Sequence, residues 1–309
     1  MPKIVIGTRG SPLAQAQARE FQAALAAANR ALDPADMEIA VIRTSADKQP
    51  DKLISQIGGK GLFVKEIEEA LLAGRIDIAV HSVKDLPGIL PEGLALACVL
   101  KREDPRDAFI SPVAKSFDDL PAGAIVGTSS PRRRAQILAR HADLNVQPLR
   151  GNVATRLKKL EDGIAQAMIL ALAGLKRLGL AEHATAVLEP EVMLPAVGQG
   201  AIGAECRSND PRILELLTAA SHKASETCVR AERAFLEALG GSCHTPIAGL
   251  AEYEGRRLVF RGLVASPDGT EVYPTMRRGE PEQAAHMGRD AGVELRAKGG
   301  ARLFEAFEG

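Results

Sequence analysis

Short apolar runs rich in β-branched residues alternate with stretches of helical spacing along this chain, which is typical of an α/β protein. The run KIVIG at residues 3–7 predicts a buried strand. LAQAQAREFQAALAAA at residues 13–28 predicts a helix with Ser11 as its N-cap and Pro12 in its first turn. The same reasoning predicts a strand over 38–43, a strand that runs into a polar turn over 76–87, and helices over 62–74, 225–240 and 282–300.

The pattern of the first residues recurs later in the chain. The segment 124–140 (AIVGTSSPRRRAQILAR) resembles residues 4–19 with one residue removed. The segment 160–174 (LEDGIAQAMILALAG) resembles residues 71–85 when their glycines are aligned. Two matched pairs in the same order predict two α/β domains of similar design. Two helix N-termini would then face one crevice, each with free N–H groups and a partial positive charge.

The connections between these segments predict three domains, the first of them discontinuous. The charged, proline-broken segment 102–109 fits a crossover, and segment 189–207 fits a crossover back. Residues 246–273 form a meander of short strands with turn signals, which indicates a small α+β domain. The predicted boundaries are 1–100 with 199–219 for domain 1, 101–198 for domain 2 and 220–309 for domain 3.

Arginine is concentrated where predicted strands end, although the chain as a whole is neutral, with 39 Lys and Arg against 39 Asp and Glu residues. Four apolar runs lead through Gly, Ser or Thr to Arg: KIVIGTRGSP (3–12), AIVGTSSPRRR (124–134), VQPLRGNVATR (146–156) and MILALAGLKR (168–177). Open α/β sheets bind ligands at the carboxyl ends of their strands, so this placement predicts a focused cationic cleft. Such a cleft in a neutral protein indicates a small ligand that carries several negative charges.

The composition argues against several other classes of protein. Aromatic residues make up 3% of the chain and Trp is absent, which disfavours a stacking platform for single-stranded nucleic acid. No apolar stretch reaches transmembrane length. The chain enters a strand without the regions of a signal peptide, so we expect a cytoplasmic protein. The chain has four scattered cysteines: Cys98, Cys206, Cys228 and Cys243. Because no CxxC pair is present, we expect reduced thiols and no metal site.

Two residues carry candidate chemistry that the pattern alone leaves open. Cys243 lies in LGGSCHTPIAG, where spacing favours a small buried side chain over a nucleophile paired with His244. Neighbours in an extended segment point in opposite directions, which disfavours that pair. Asp85 follows a predicted strand in HSVKD, where it could bind a cationic N–H group or shuttle a proton. A turn carboxylate or helix cap explains Asp85 equally well, and His81 in the same motif fits a hydrogen-bonded core residue.

The strongest signal from the residues themselves is the run SSPRRR. Ser129, Ser130 and the start of a helix form an anion cradle. Arg132, Arg133 and Arg134 add bidentate clamps for carboxylates or phosphates. A solvated basic helix face is the alternative. Three consecutive helical residues cannot all face one way, so we expect at least one of these arginines at the surface.

Two further basic stretches flank glycines. Arg150 and Arg156 bracket the turn pair Gly151-Asn152, and Lys60 stands in a Gly-Gly-Lys-Gly run. That run is similar to a phosphate loop, yet the spacing of a Walker motif is absent. The sequence therefore predicts no nucleotide site.

Over nearly its whole length the chain resembles the porphobilinogen deaminase (hydroxymethylbilane synthase) family. The motifs occur in the family's order: GTRGSPLA, GGKGLFVKE, DIAVHSVKDLP, REDPRDAF, VGTSSPRRRAQ, LRGNVATR, ILALAGLKRLG, LPAVGQGAIGAEC and LGGSCHTPIAG. The resemblance implies two type II periplasmic-binding-protein-like α/β domains around a cleft, plus a small C-terminal α+β domain with a three-stranded antiparallel sheet. It also implies a transferase of tetrapyrrole and heme biosynthesis. This enzyme joins four porphobilinogen molecules head to tail with loss of ammonia, and water then releases hydroxymethylbilane.

The resemblance also implies a cofactor and a set of site residues. The cofactor would be dipyrromethane, itself built from porphobilinogen and bound to Cys243 by a thioether. Asp85 would be the catalytic group, contacting pyrrole N–H groups, assisting loss of ammonia and stabilising a cationic azafulvene-like intermediate. The expected cofactor contacts are Lys84, Ser129, Arg132, Arg133, Arg150 and Gly151. The expected substrate contacts are Arg9, Ser11, Lys60, Thr128, Arg156 and Arg177.

Two other functions compete with this interpretation. The fold resemblance alone would suggest an anion receptor. The missing secretion signal and the exposed thiol argue against that function. The arginine loops would suit a nucleic-acid binder, which zero net charge and scarce aromatics disfavour. We therefore expect the small molecule porphobilinogen as partner, no nucleic acid, no membrane and no metal, and by family resemblance a monomer in which residues 44–61 form a mobile cover.

Overall fold

The computed structural model of the chain describes residues 3–44, 64–241 and 245–305. The chain divides into two compact units: Met1–Glu103 with Ala201–Val229, and Asp104–Gly200 with Arg230–Gly309. The three domain boundaries predicted from the sequence stay a prediction. In the described ranges, no helix is both long enough and apolar enough to cross a membrane.

The strands and helices follow the apolar runs of the sequence. The strands are β1 (Ile4–Arg9), β2 (Met37–Ile42), β3 (Ile78–Ser82), β4 (Leu94–Val99), β5 (Asp107–Ile110), β6 (Ile125–Gly127), β7 (Asn145–Gln147), β8 (Ala167–Ala171), β9 (Ala186–Leu188), β10 (Ile202–Arg207), β11 (Ile247–Glu254), β12 (Arg257–Ala265) and β13 (Val272–Gly279). The helices are α1 (Pro12–Ala28), α2 (Lys65–Leu72), α3 (Pro131–Leu138), α4 (Val153–Glu161), α5 (Leu172–Arg177), α6 (Pro211–Ala220), α7 (Lys223–Leu239) and α8 (Ala284–Glu305).

The first unit is built on a five-stranded sheet of order β2-β1-β3-β10-β4. Strand β1 pairs in parallel with β2 and β3, whereas β10 runs antiparallel to β3 and β4. Alternate residues of β1 and β3 are buried in one apolar cluster with Phe21 and Leu25 of α1. The opposite face of β3 packs against α2 through Ala79, Ile67 and Leu71.

The second unit repeats this arrangement with the order β7-β6-β8-β5-β9. Strand β6 is parallel to β7 and β8, and β5 is antiparallel to β8 and β9. Each sheet thus places one antiparallel strand in its fourth position, where a strand from another part of the chain is inserted. This strand order and the separate three-stranded antiparallel sheet of β11, β12 and β13 confirm the predicted fold class.

Equivalent hydrogen bonds confirm the internal repeat predicted from the sequence. The Asp77 carboxylate accepts from the Val5 N–H at 2.9 Å, and the Gln166 side-chain oxygen accepts from the Ile125 N–H at 2.7 Å. Ser11 and Ser130 are the N-caps of α1 and α3, and each is followed by Pro. The aligned glycines, Gly74 and Gly163, have φ angles of 67° and 74°, so both use the left-handed conformation that ends a helix.

The small antiparallel sheet differs from the prediction in its last strand. The predicted meander ends at residue 273, whereas β13 continues to Gly279. Helix α7 lies within two residues of its predicted bounds. Helix α8 extends to Glu305 with a break at Gly300, whose φ is 64°. Phe235 of α7 and Phe260 of β12 pack with ring centroids 4.9 Å apart, which seats this sheet on α7.

Candidate active site

Helix α3 carries two of its three consecutive arginines into the interior of the second unit. The Ser130 hydroxyl accepts from the Arg133 N–H and starts the helix at Pro131. Arg132 and Arg133 are only 4% and 6% exposed. Arg134 is exposed and donates to the Val146 carbonyl at 2.6 Å. The run is therefore not a solvated basic face, and one arginine lies at the surface as expected.

Both buried arginines are bound to Asp107, a residue that the sequence analysis did not select. The Asp107 carboxylate, at the start of β5, is 2.8 Å from Arg132 Nη2 and 2.7 Å from Arg133 Nη2. Gln199 Nε2 donates to the same carboxylate at 2.7 Å. Desolvation would raise the pKa of Asp107, but the charges of the two arginines outweigh it and hold this pKa well below its ordinary value. Asp107 is therefore a carboxylate anion.

One carboxylate does not satisfy two guanidinium groups. Arg132 Nε and Arg133 Nε are buried, and neither forms a hydrogen bond within the part of the chain that the structure describes. An unpaired buried donor costs free energy, and more so when it carries charge. Two cations against one anion also leave one positive charge in excess. The arrangement suits an acidic ligand that accepts from these Nε–H groups.

Arg150 and Arg156 extend the same positive region. Gly151, with φ of 114°, makes the turn between them, and its carbonyl accepts from Arg156 Nε at 2.8 Å. Burial lowers the pKa of Arg156, and the charges of Arg133 and Arg150 lower it further, to about 10. These cations are thus close enough to repel one another, and an anion placed among them would relieve that repulsion.

The remaining predicted residues of the second unit lie at strand ends and turns. The Ser129 hydroxyl donates to the Leu149 carbonyl at 3.1 Å. The buried Thr128 hydroxyl accepts from the Ser130 N–H at 3.2 Å. Arg177, at the end of α5, donates to the Gly200 carbonyl at 3.1 Å. Ser129 and Thr128 therefore shape the turn before α3, and their oxygens keep lone pairs for further contacts.

Asp85 lies in the first unit on a short 3-10 turn, Val83–Asp85, which follows β3. The strand therefore runs into a turn after Ser82, as the sequence predicts for residues 76–87. Asp85 is half-buried, and its side chain forms no hydrogen bond or ion pair in the described ranges, so it caps no element there. Lys84 and Arg9 are also half-buried, and the Ser11 hydroxyl accepts from the Ala14 N–H at 3.2 Å.

A second buried acidic group lies between the first sheet and α2. His81 Nε2 of β3 is 3.2 Å from a carboxylate oxygen of Glu205 on β10. The approach lacks hydrogen-bond geometry. Burial raises the pKa of Glu68 on α2 to about 7, the charge of Glu205 raises it further, and His81 offsets part of the effect. Of these three residues, only His81 belongs to a motif that stands out in the sequence.

Two predicted site residues, Lys60 and Cys243, lie outside the described residues, as does the predicted cover except for Thr44. The other three cysteines are buried. Burial raises the pKa of Cys98 to about 12 and that of Cys206 to about 11, so both thiols are unreactive. Within the described ranges, no group of three or more His, Cys, Asp or Glu side chains could hold a metal ion.

Two family models match almost the whole chain. "Porphobilinogen deaminase, dipyromethane cofactor binding domain" covers residues 4–215, and "Porphobilinogen deaminase, C-terminal domain" covers residues 226–297. The chain belongs to the porphobilinogen deaminase family. This membership confirms the resemblance stated from the motifs.

Relatives of this name match over nearly full length. Porphobilinogen deaminase of Nitrobacter winogradskyi is 54% identical over 98% of this chain and 96% of its own. That of Paracoccus denitrificans is also 54% identical, over 98% and 96% of the two chains. The chloroplastic enzyme of Oryza sativa is 52% identical over 99% of this chain and 86% of its own. Among solved structures, a periplasmic substrate-binding protein of an ABC transporter from Coxiella burnetii is 16% identical, with a TM-score of 0.44 over 74% of this chain and 96% of that chain.

Proposed function

We propose that this chain is a porphobilinogen deaminase, the transferase also called hydroxymethylbilane synthase. It condenses four porphobilinogen molecules head to tail onto a covalent dipyrromethane primer, with loss of ammonia at each step. Water then releases hydroxymethylbilane for tetrapyrrole and heme biosynthesis. Within a chain of this family, the observation that carries the proposal is the buried pair Arg132 and Arg133, whose Nε–H groups lack an acceptor in the described structure.

The residues present fit the dipyrromethane cofactor. Each pyrrole ring carries an acetate and a propionate, and carboxylates are the acceptors that buried guanidinium donors require. Arg132, Arg133 and Arg150 would hold these carboxylates, with Lys84, Ser129 and Gly151 as further contacts. Cys243 would form the thioether. When bound, the cofactor supplies the primer that the substrate rings extend.

The substrate carries the same two acid groups, so its binding requires further cationic side chains. Arg156 and Arg177 of the second unit and Arg9 and Lys60 of the first are proposed to bind substrate carboxylates. Ser11 and Thr128 would add hydroxyl contacts at the starts of helices α1 and α3. Burial and the charges of Arg133 and Arg150 lower the pKa of Arg156 to about 10, and the negative charge of an acidic ligand would offset this effect.

Asp85 is proposed as the catalytic residue. Its carboxylate is half-buried and has no partner in the described structure, so its lone pairs are available to a ligand. A carboxylate can accept from a pyrrole N–H and stabilise the positive charge that develops on the substrate ring as ammonia leaves. It can also take up the proton that must leave the newly joined ring before aromaticity returns.

Intact mass tests the proposal. Protein made in cells that synthesise porphobilinogen should weigh more than its sequence by two pyrrole units. Cys243→Ser should remove that excess, whereas the matched variant Cys228→Ser should retain it, because Cys228 is buried in α7. An unmodified wild-type mass would exclude this enzyme.

Three further properties belong to the same proposal. The domain boundaries 1–100 with 199–219, 101–198 and 220–309 are supported by the break between the two family models, which falls between residues 215 and 226. Limited proteolysis should cut first near the boundary at residues 219–220, where Ala219 is exposed. We also propose a monomer in the cytoplasm, to be checked by light scattering and by cell fractionation.

A further inference from the structure

Asp107 is among the most completely buried charged groups of the second unit. It is 0% exposed and binds three donors, from Arg132, Arg133 and Gln199. Gln199 is 1% exposed, and neither it nor Asp107 is a proposed ligand contact. Their contacts fix the two arginines that the proposed function assigns to the cofactor.

Each guanidinium is held at two of its three nitrogens. Arg132 gives Nη2 to Asp107 and Nη1 to the Leu194 carbonyl at 2.7 Å. Arg133 likewise gives Nη2 to Asp107 and Nη1 to the Ile169 carbonyl at 3.0 Å. The guanidinium group is planar and rigid, so fixing two nitrogens fixes the direction of the third N–H.

The nitrogen left over is the same in both side chains. Arg132 Nε and Arg133 Nε are the buried atoms without an acceptor in the described residues. Asp107 therefore orients two orphaned donors while neutralising only one of the two charges. Gln199 in turn holds Asp107, and it also donates to the Pro105 carbonyl at 2.7 Å.

We infer that Asp107, held by Gln199, is a positioning residue for the arginine pair that receives the cofactor carboxylates. This inference rests on the proposed function and assigns two residues to it. Asp107 itself touches no ligand in this account. It acts by directing the Nε–H groups of Arg132 and Arg133.

The direction in which one substitution changes cofactor binding distinguishes a positioning role from simple charge balance. Asp107→Asn removes a negative charge beside two ligand-binding cations. If Asp107 only balanced charge, the variant would bind an acidic cofactor more tightly. If Asp107 positions the arginines, the variant would bind it less well despite the extra positive charge.

The experiment measures the loading of apoprotein with porphobilinogen as the probe, followed by intact mass over time. Mass reports cofactor attachment directly and does not depend on turnover. We expect Asp107→Asn to load about tenfold more slowly or worse, because a buried charge pair loses one partner. Gln199→Met, which keeps the carboxylate and both arginines, should give a smaller loss in the same direction. Arg134→Gln is the matched control and should load like wild type, since Arg134 is exposed on the same helix.

Thermal unfolding of each apoprotein accompanies the loading assay. If Asp107→Asn does not fold, Gln199→Met alone decides the question. Loading of Asp107→Asn at or above the wild-type rate would overturn the inference, and so would Gln199→Met that matches the Arg134→Gln control. A wild-type protein that never gains the pyrrole mass would instead refute the proposed function.

Discussion

Glu68 is the residue at which we expect pH to act on the stability of the first unit. Its side chain is buried on α2 and is 7% exposed. Burial is the main cause that raises its pKa from 4.5 to about 7, and the nearby Glu205 charge adds to the effect. Replacing Glu68 by Gln keeps the shape of the protonated acid and removes the titration.

The direction follows from the protons bound in each state. Between pH 4.5 and about 7, folded Glu68 retains a proton that the unfolded chain releases, so the free energy of unfolding falls as pH rises through this interval. Above this pH interval the free energy of unfolding has fallen by the full amount, and below the interval it has not fallen at all. At about 1.4 kcal/mol for each pKa unit, the full difference is about 3 kcal/mol as an upper bound. At high pH, Glu68→Gln should therefore be more stable than wild type by up to this amount.

Urea unfolding from about pH 4 to about pH 8 measures the effect. The difference between Glu68→Gln and wild type should grow with pH and then level off, because His81 and Glu205 are unchanged in both proteins. Glu69→Gln is the control, since Glu69 is exposed one position along the same helix. Parallel stability curves for wild type and Glu68→Gln would refute the assignment of a neutral Glu68.

Three other predictions concern the site and its frame. Asp85→Asn should lower kcat by about 100-fold or more with unfolding unchanged, because charge is lost and shape is kept; near-normal turnover would show that the carboxylate is wrongly assigned. Arg150→Leu should weaken binding of the growing chain by about 2–5 kcal/mol, the loss expected when a desolvated charge pair loses one partner. Elongation kinetics equal to those of Arg134→Gln would show that Arg150 only faces solvent. Gly269→Ala should destabilise the protein by more than about 2 kcal/mol, since φ is 76° and a Cβ would lie 2.5 Å from the Ala135 carbonyl oxygen. Gly255 has a φ of 62°, and a Cβ added there would have no atom within 4 Å, so Gly255→Ala should cost only the backbone strain. Equal losses in melting temperature for Gly269→Ala and Gly255→Ala would contradict the predicted clash.

The repeated α/β units could be predicted from the sequence because their signals are local. A serine N-cap with proline after it begins both α1 and α3, and glycine ends the helix before β3 and the one before β8. The last strand could not be predicted in the same way. Pro274 lies within β13, and the residues of this strand alternate only between half-buried and exposed. An edge strand tolerates both features, because only one side of it must form a ladder.

The candidate site was predicted where the residues stand next to one another, as in SSPRRR. Asp107 and Gln199 were missed because their contacts are not local. Asp107 is 25 residues from Arg132 and 92 residues from Gln199. The one available signal was an acidic residue that opens the buried run Asp107–Ile110. Glu205, inside the buried strand β10, gave the same signal. A charged residue in an apolar run needs a partner, but the sequence does not tell which one.

The contacts of Asp107 also tie together the two connecting segments of the second unit. Pro105 and Asp107 lie where the chain enters the second unit, and Leu194 and Gln199 lie close to where it leaves. Gln199 joins the two connections through Pro105 and Asp107, while Arg132 bonds to Leu194 and Asp107. The side-chain oxygen of Gln136 accepts from the Leu194 N–H at 2.8 Å and completes the link to α3. The groups that fix the arginine pair are thus the same groups that fix both connections.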